Sequence, residues 1–350
     1  MKAIFMRDAH PLYYFTALLL FKLACGLIRQ QSGMSQHISL PLSSSYNNLE
    51  GATWLDKAVA RKRIEVDNLL RRHQDLDDPL VMRMGYMASE SRYTVTNALK
   101  RNTTDKEQLH TMSVMVDLKR RSPTIPHRRN VVEFQSASQF AELLALADSD
   151  ALLINTDEQE YGGKLSDLRE TTRTLRKLPG GGPACICKDI IIHPVQIAQA
   201  LENGADGVLL IVGIVGGDLE VLLDACTIMG TEAIVEVHTP NELEFALSKG
   251  ATIFLANMWD RTTSRMFKDQ AKGLASMMPM NSVAIAAGDI RTLEEVAELG
   301  LFGFDCVVLG RALADIDDIK DFIDGVHDFR GAPRNMGMGG GFGMKGNPFL

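Results

Sequence analysis

The chain has 350 residues, 45% hydrophobic and 23% charged, and its 37 Lys+Arg against 44 Asp+Glu leave a net charge of −7. These values exclude wholesale disorder, a collagen-like fibre and a protein of many membrane spans, and the length allows two small domains or one large domain with extensions. No basic field argues for a nucleic-acid partner, although a local cationic pocket for a small anion is compatible with an acidic chain.

In chain order, Lys2 and Arg7 precede the apolar run Leu12–Phe21, which Lys22 interrupts before Leu23–Ile28. The first run has the length of a signal-peptide apolar region, and Lys22 spoils a clean span of about 20 apolar residues. Residues 1–35 are therefore expected to be a targeting segment, with a membrane anchor or an upstream translation artefact as alternatives. A targeting segment implies an organelle, the plastid, and its absence the cytoplasm; no stable membrane partner is expected after processing. Residues 36–50 read as a polar linker, and Trp54–Asp67 as a charge-rich helical lead-in.

From Val114 to Val326 one pattern recurs eight times: a β-branched run, a few turn residues, an amphipathic stretch. The runs are Val114–Lys119, Ala151–Thr156, Ala184–Asp189, Gly207–Ile214, Ala233–His238, Thr252–Met258, Val283–Gly288 and Cys306–Gly310. Between them the spacing predicts helices over Gln139–Ala147, Leu165–Arg176, Val195–Asn203, Leu219–Met229, Asn241–Lys249 and Leu293–Leu299, several after a start signal: Ser138, Pro194, Asp218, Thr239-Pro240 or Thr292. Near-continuous apolar strands expect burial on both faces, as in a parallel sheet. The fold class is thus α/β, a closed (β/α)8 barrel with an N-terminal helical extension over residues 51–328. No Gly-x-Gly-x-x-Gly follows the first strand, which argues against a dinucleotide fold. Five cysteines, at 25, 185, 187, 226 and 306, form neither a metal ladder nor a disulfide framework. Residues 329–350, rich in Gly and Met, are expected to be a mobile tail.

In such barrels the reacting groups sit at the C-terminal ends of the strands. Those positions hold Asp117, Lys119, Lys188, Glu236, His238, Asn257 and Gly310-Arg311. Asp117 and Lys119, two apart on one strand, share a face. Charges inside apolar strands are seldom left unpaired. The set is either a group of ion pairs plugging the barrel top or an acid–base pair in a dry pocket.

Leu-Lys-Arg-Arg-Ser-Pro (118–123), Tyr-Gly-Gly-Lys-Leu-Ser-Asp-Leu (161–168), Cys-Lys-Asp-Ile-Ile-Ile-His-Pro-Val-Gln-Ile (187–197), Gly-Ala-Asp-Gly-Val-Leu-Leu-Ile (204–211) and Val-Glu-Val-His (235–238) resemble indole-3-glycerol phosphate synthase. The similarity covers about residues 50–328. It implies a carbon–carbon lyase of tryptophan biosynthesis, acting without a cofactor or metal on a small phosphorylated substrate, carboxyphenylamino-deoxyribulose phosphate, which closes its ring and loses CO2 and water. A monomer or weak oligomer is expected. By that resemblance Lys188 is the general acid, Glu236 acts in proton transfer and stabilises positive charge, Lys119 serves the phosphate and the dehydration, and Asn257 orients the substrate. Tyr161 packs near the anthranilate ring; Ser122, Gly288, Gly310 and Arg311 belong to the substrate and phosphate contacts.

The chain also departs from the family. The first-strand glutamate is Asp117. Asn257-Met258-Trp259 replaces Asn-Asn-Arg, Ala286-Ala287-Gly288-Asp289 replaces Ser-Glu-Ser-Gly, and Gly310-Arg311-Ala312 replaces Gly-x-Ser. Asp289 would repel a phosphate if its side chain faced inward. Alongside a working lyase with a divergent mouth stand two other readings: a catalytically silent barrel kept for binding or assembly, and another phosphate-binding barrel enzyme. Retained Lys188 and Glu236 favour the first; the missing seventh-strand carboxylate favours the second.

Overall fold

The computed structural model describes residues 53–85, 88, 93–100, 110–122, 134–260, 265–310, 313, 316 and 318–331. The expected targeting segment, the linker, Cys25 and most of the expected tail lie outside them. Eight parallel strands close into a barrel: β1 Ser113–Leu118, β2 Ala151–Asn155, β3 Ala184–Lys188, β4 Gly207–Ile211, β5 Glu232–Val237, β6 Ile253–Asn257, β7 Val283–Ala287 and β8 Cys306–Leu309, with β8 pairing back onto β1. Among the described residues three helices precede it, α1 Trp54–Arg72, α2 Pro79–Gly85 and α3 Thr94–Leu99. The outer ring is α4 Ala137–Leu146, α5 Leu165–Leu175, α6 Pro194–Glu202, α7 Val212–Val215, α8 Leu219–Ile228, α9 Pro240–Ser248, α10 Lys268–Met277, α11 Leu293–Leu301 and α12 Ile319–Asp328. Among the described residues no helix is long and apolar enough to cross a membrane.

Strand alternation builds two cores. Outward residues such as Val114, Val116, Ile154, Leu210 and Phe254 pack under the helices, while Met115, Leu153, Ile186, Leu209, Ile234, Leu255, Ile285 and Val308 fill the interior. At the N-terminal end α3 pushes Val95 and Leu99 into that interior. Glu232 Oε2 accepts the Val95 and Thr96 N–H groups at 2.8 and 3.1 Å, an anion at a helix start, and Ser113 Oγ donates to the Leu99 carbonyl at 2.7 Å. The floor is sealed by protein, so chemistry is confined to the opposite end.

Several local expectations change. The Gly207–Ile214 run stops at Ile211, because Val212–Val215 turn into α7. The cap of α4 is Ser136, whose Oγ accepts from Gln139 N–H, rather than Ser138. Asp218 precedes α8 without a side-chain cap. Thr239 and Thr292 do cap α9 and α11, each accepting from the N–H three residues on. Helices α10 and α12 fill the two places of the eightfold repeat for which the spacing predicts no helix bounds. Cys185 and Cys187 are free and buried, and burial pushes the Cys187 thiol up to about 12.

Gly163 lets the loop after β2 fold back over its own strand: a Cβ there would lie 1.8 Å from the Asn155 carbonyl oxygen. Gly163→Ala should therefore cost more than about 2 kcal/mol, at the upper end of overpacking penalties. Gly273→Ala, on α10 with open space around it, should instead stabilise by about 0.5–1 kcal/mol. Denaturant melts of both variants check the pair, and equal effects would refute the steric reading of Gly163.

Candidate active site

The same alternation that stacks interior apolar residues places the next inward position of each strand at the mouth. Above Met115 comes Asp117, above Leu153 Asn155, above Ile186 Lys188, above Ile234 Glu236, and above Leu255 Asn257. The interior therefore ends in a polar layer, with Gly310, above Val308, at the level of Asp117, and Lys119 one step beyond.

Asp117 is the hub of this layer. Its side chain is 3% exposed; Oδ2 takes Lys119 Nζ at 2.5 Å and Lys188 Nζ at 2.9 Å, and Oδ1 accepts from Asn155 Nδ2 at 2.7 Å. Asn155 Nδ2 also donates to the Leu118 carbonyl at 2.9 Å, tying β2 to the end of β1. Burial alone raises the Asp117 carboxyl; the charges of Lys119 and Lys188 outweigh it and hold the group well below the usual carboxylate range. Gly310 closes the other side, where a Cβ would stand 3.4 Å from Lys119 Nζ.

A second polar group faces this one. Glu236, 1% exposed, accepts from Asn257 Nδ2 at 2.9 Å, and His238 Nε2 lies 3.3 Å from its Oε1. Asn257 Oδ1 in turn accepts the Trp259 N–H at 3.0 Å. Tyr161 is buried with its ring centre 5.7 Å from Lys188 Nζ, and its carbonyl takes the N–H groups of Arg120 and Arg121.

Asp117, Lys119, Tyr161, Lys188, Glu236, Asn257, Gly288 and Gly310 all line one cavity of 80 Å³, with Trp259, Ala287 and Asp289. Ser122 is buried in the loop after β1 and does not line it. Arg311, like Ala312, lies outside the described residues. Asp289 lines the cavity, but its carboxylate pairs with Arg291 at 3.0 Å, so its charge is compensated. The pattern reading gave Asn155 no role, although it shares the inward parity of Asp117 and β2 ends on it. His238, noted at a strand end, was left without a role because its contact with Glu236 depends on the turn into α9.

The family model of indole-3-glycerol phosphate synthase matches residues 55–326, from the start of the helical lead-in to the last turn of α12. The chain belongs to that family. A relative named indole-3-glycerol phosphate synthase from Opitutus terrae is 32% identical over 209 residues, 59% of this chain and 77% of its own length. Synthases of the same name from Thermoanaerobacter pseudethanolicus (27% identical, 61% of this chain and 80% of its own) and Mycobacteroides abscessus (31%, 59% and 73%) are similar over comparable spans. The chain is thus a carboxy-lyase of indole-3-glycerol phosphate synthase type, placed in tryptophan biosynthesis, and the silent-barrel alternative is not favoured.

The hub also sets the acid stability of the barrel. A carboxyl whose folded pKa is depressed contributes stability that is present above its unfolded value, about 3.9, and is lost as the pH falls toward the folded value. Asp117→Asn leaves two partly buried ammonium groups without their shared anion and should destabilise by about 3 kcal/mol at pH 7. The deficit should shrink as the pH falls below about 4, where the wild type begins to lose the same interaction. Denaturant melts at pH 7 and pH 3 read this out; a deficit constant with pH would refute the hub.

Proposed function

We propose that Lys188, Glu236 and Lys119 divide the proton transfers by which this synthase closes the indole ring of carboxyphenylamino-deoxyribulose phosphate. The observation that carries the reading is that two ammonium groups held by one buried carboxylate share a cavity with Glu236 and Asn257. In this assignment the anthranilate ring rests against Tyr161. The ring carbon bearing the carboxylate attacks the ketone carbon of the sugar portion while Lys188 delivers a proton to the ketone oxygen. Loss of CO2 returns its bonding electrons to the ring and restores aromaticity. Lys119 then protonates the new hydroxyl, which leaves as water, and Glu236 supports the positive charge at nitrogen and takes the proton from the adjacent carbon. Two protons are given and one is taken, matching the one proton that decarboxylation consumes.

Asp117 serves both donors by holding their ammonium groups on one carboxylate oxygen. Backbone N–H groups around Gly288 and Gly310, with Arg311, are assigned to the phosphate. A cavity of 80 Å³ is smaller than the ~300 Å³ at which ligand pockets begin, so the mouth has to widen as substrate enters.

Lys188→Ala should lower kcat by about 100-fold or more, and Glu236→Gln should remove activity while moving Tm by only a few degrees. Turnover with the Lys188 variant unchanged would overturn the assignment. A large loss of Tm with intact kinetics in the Glu236 variant would make that residue structural. Complementation of a tryptophan auxotroph lacking the synthase tests the activity as a whole.

The reaction is also proposed to run slowly in this chain, because Ala287 leaves the seventh-strand position without a carboxylate. Ala287→Glu together with Ala312→Ser should raise kcat/KM. No gain with the barrel intact would refute a rate limit at those positions.

A further inference from the structure

We infer that Lys62, on the helical extension outside the barrel, is a positioning residue for the Lys188 strand end and the Tyr161 loop, so that α1 is part of the catalytic apparatus. The inference rests on Lys188 being the proton donor.

Lys62 is an unusual place for a charge: its side chain is 6% exposed. Its Nζ meets Asp189 Oδ1 at 2.8 Å, Asp157 Oδ2 at 3.1 Å and Glu65 Oε2 at 2.7 Å. Burial works against its charge, and the carboxylates of Asp189 and Asp157 more than offset that, leaving the ammonium held more firmly than a free lysine. Arg61, the preceding residue, takes Asp157 Oδ2 at 2.7 Å and Glu160 Oε1 at 2.9 Å.

These partners belong to the two segments that carry the site. Asp189 follows Lys188 directly, and its other oxygen accepts from Thr156 Oγ1 at 2.6 Å. Thr156 N–H donates to the Lys188 carbonyl at 3.0 Å, so the ends of β2 and β3 are locked to each other. Asp157 accepts the Glu160 N–H on its side chain and the Tyr161 and Gly163 N–H groups on its carbonyl, which shapes the turn presenting Tyr161. One ammonium therefore pins both turns from outside. A cavity of 340 Å³, lined by Lys62, Thr156, Cys187 and Asp189, opens beside the cluster.

Stability is a weak reason to keep such a cluster, since buried ion pairs can often be replaced by apolar residues at no loss. Geometry is a strong one: a displacement of about 1 Å at a proton donor can cost about 100-fold in rate.

The test compares Lys62→Met, Lys62→Arg and Thr156→Val with the wild-type full chain, measuring kcat, KM and Tm, with Lys188→Ala as reference. The expected result is a kcat at least tenfold lower in Lys62→Met with KM within threefold, and recovery of most of the loss in Lys62→Arg. Thr156→Val, which weakens the Asp189 brace and leaves the helix untouched, should show a smaller loss in kcat alone. If Lys62→Met does not fold, Thr156→Val decides: kcat within twofold of wild type overturns the proposal. Wild-type kcat in folded Lys62→Met overturns it too, as does a parallel loss of KM and kcat that arginine fails to rescue. Unchanged turnover in Lys188→Ala would instead remove the donor assignment, a distinct failure from that of Lys62.

Discussion

One carboxylate organises the mouth of this barrel. Asp117 projects from the first strand into a space that protein closes from below, and two lysines from two different strands converge on the same oxygen. In a low-dielectric environment two ammonium groups this close repel strongly, and a shared anion offsets that repulsion. The family's glutamate would reach further at this position. The shorter aspartate reaches both amines because Asn155 holds its other oxygen at 2.7 Å and fixes the carboxylate plane. Charge, reach and orientation are thus settled by three strands together.

The opposing group is built differently. Glu236 has the Asn257 amide and the His238 imidazole beside it. A cation-rich wall, with Tyr161 against it, thus faces an anionic wall across one cavity, a polarity that fits the proposed division of proton transfers. Two of the departures from the family fall on the last two strands. Ala287 removes a negative group from the mouth, and the pairing of Asp289 with Arg291 neutralises the acidic residue that follows.

Outside the barrel, α1 is tied to the loops of β2 and β3 by a compact set of ion pairs, most of them largely removed from solvent. Such a cluster contributes little net stability once desolvation is counted, but it restricts how far its members can move. The extension thereby couples the position of a helix without catalytic groups of its own to the strand ends that carry them.

The sequence by itself determined the strand–helix repeat and the inward parity of the reactive positions. Strand alternation is a local property of the backbone, so Asp117, Lys119, Lys188, Glu236 and Asn257 were legible as one layer before any contact was known. It also determined family membership, through motifs that survive at fixed spacing. It did not determine who pairs with whom. That Lys188 would meet Asp117 rather than Glu236 depends on the closure and register of the barrel, and that Lys62 would meet Asp189, 127 positions along the chain, depends on where α1 docks. The α7 turn after Ile211 escaped the pattern because Val212, Ile214 and Val215 favour strand locally, and only the packing of α7 against β4 and β5 overrides that preference. Long-range ion pairs and closing contacts carry no period along the chain, so only the tertiary structure could decide them.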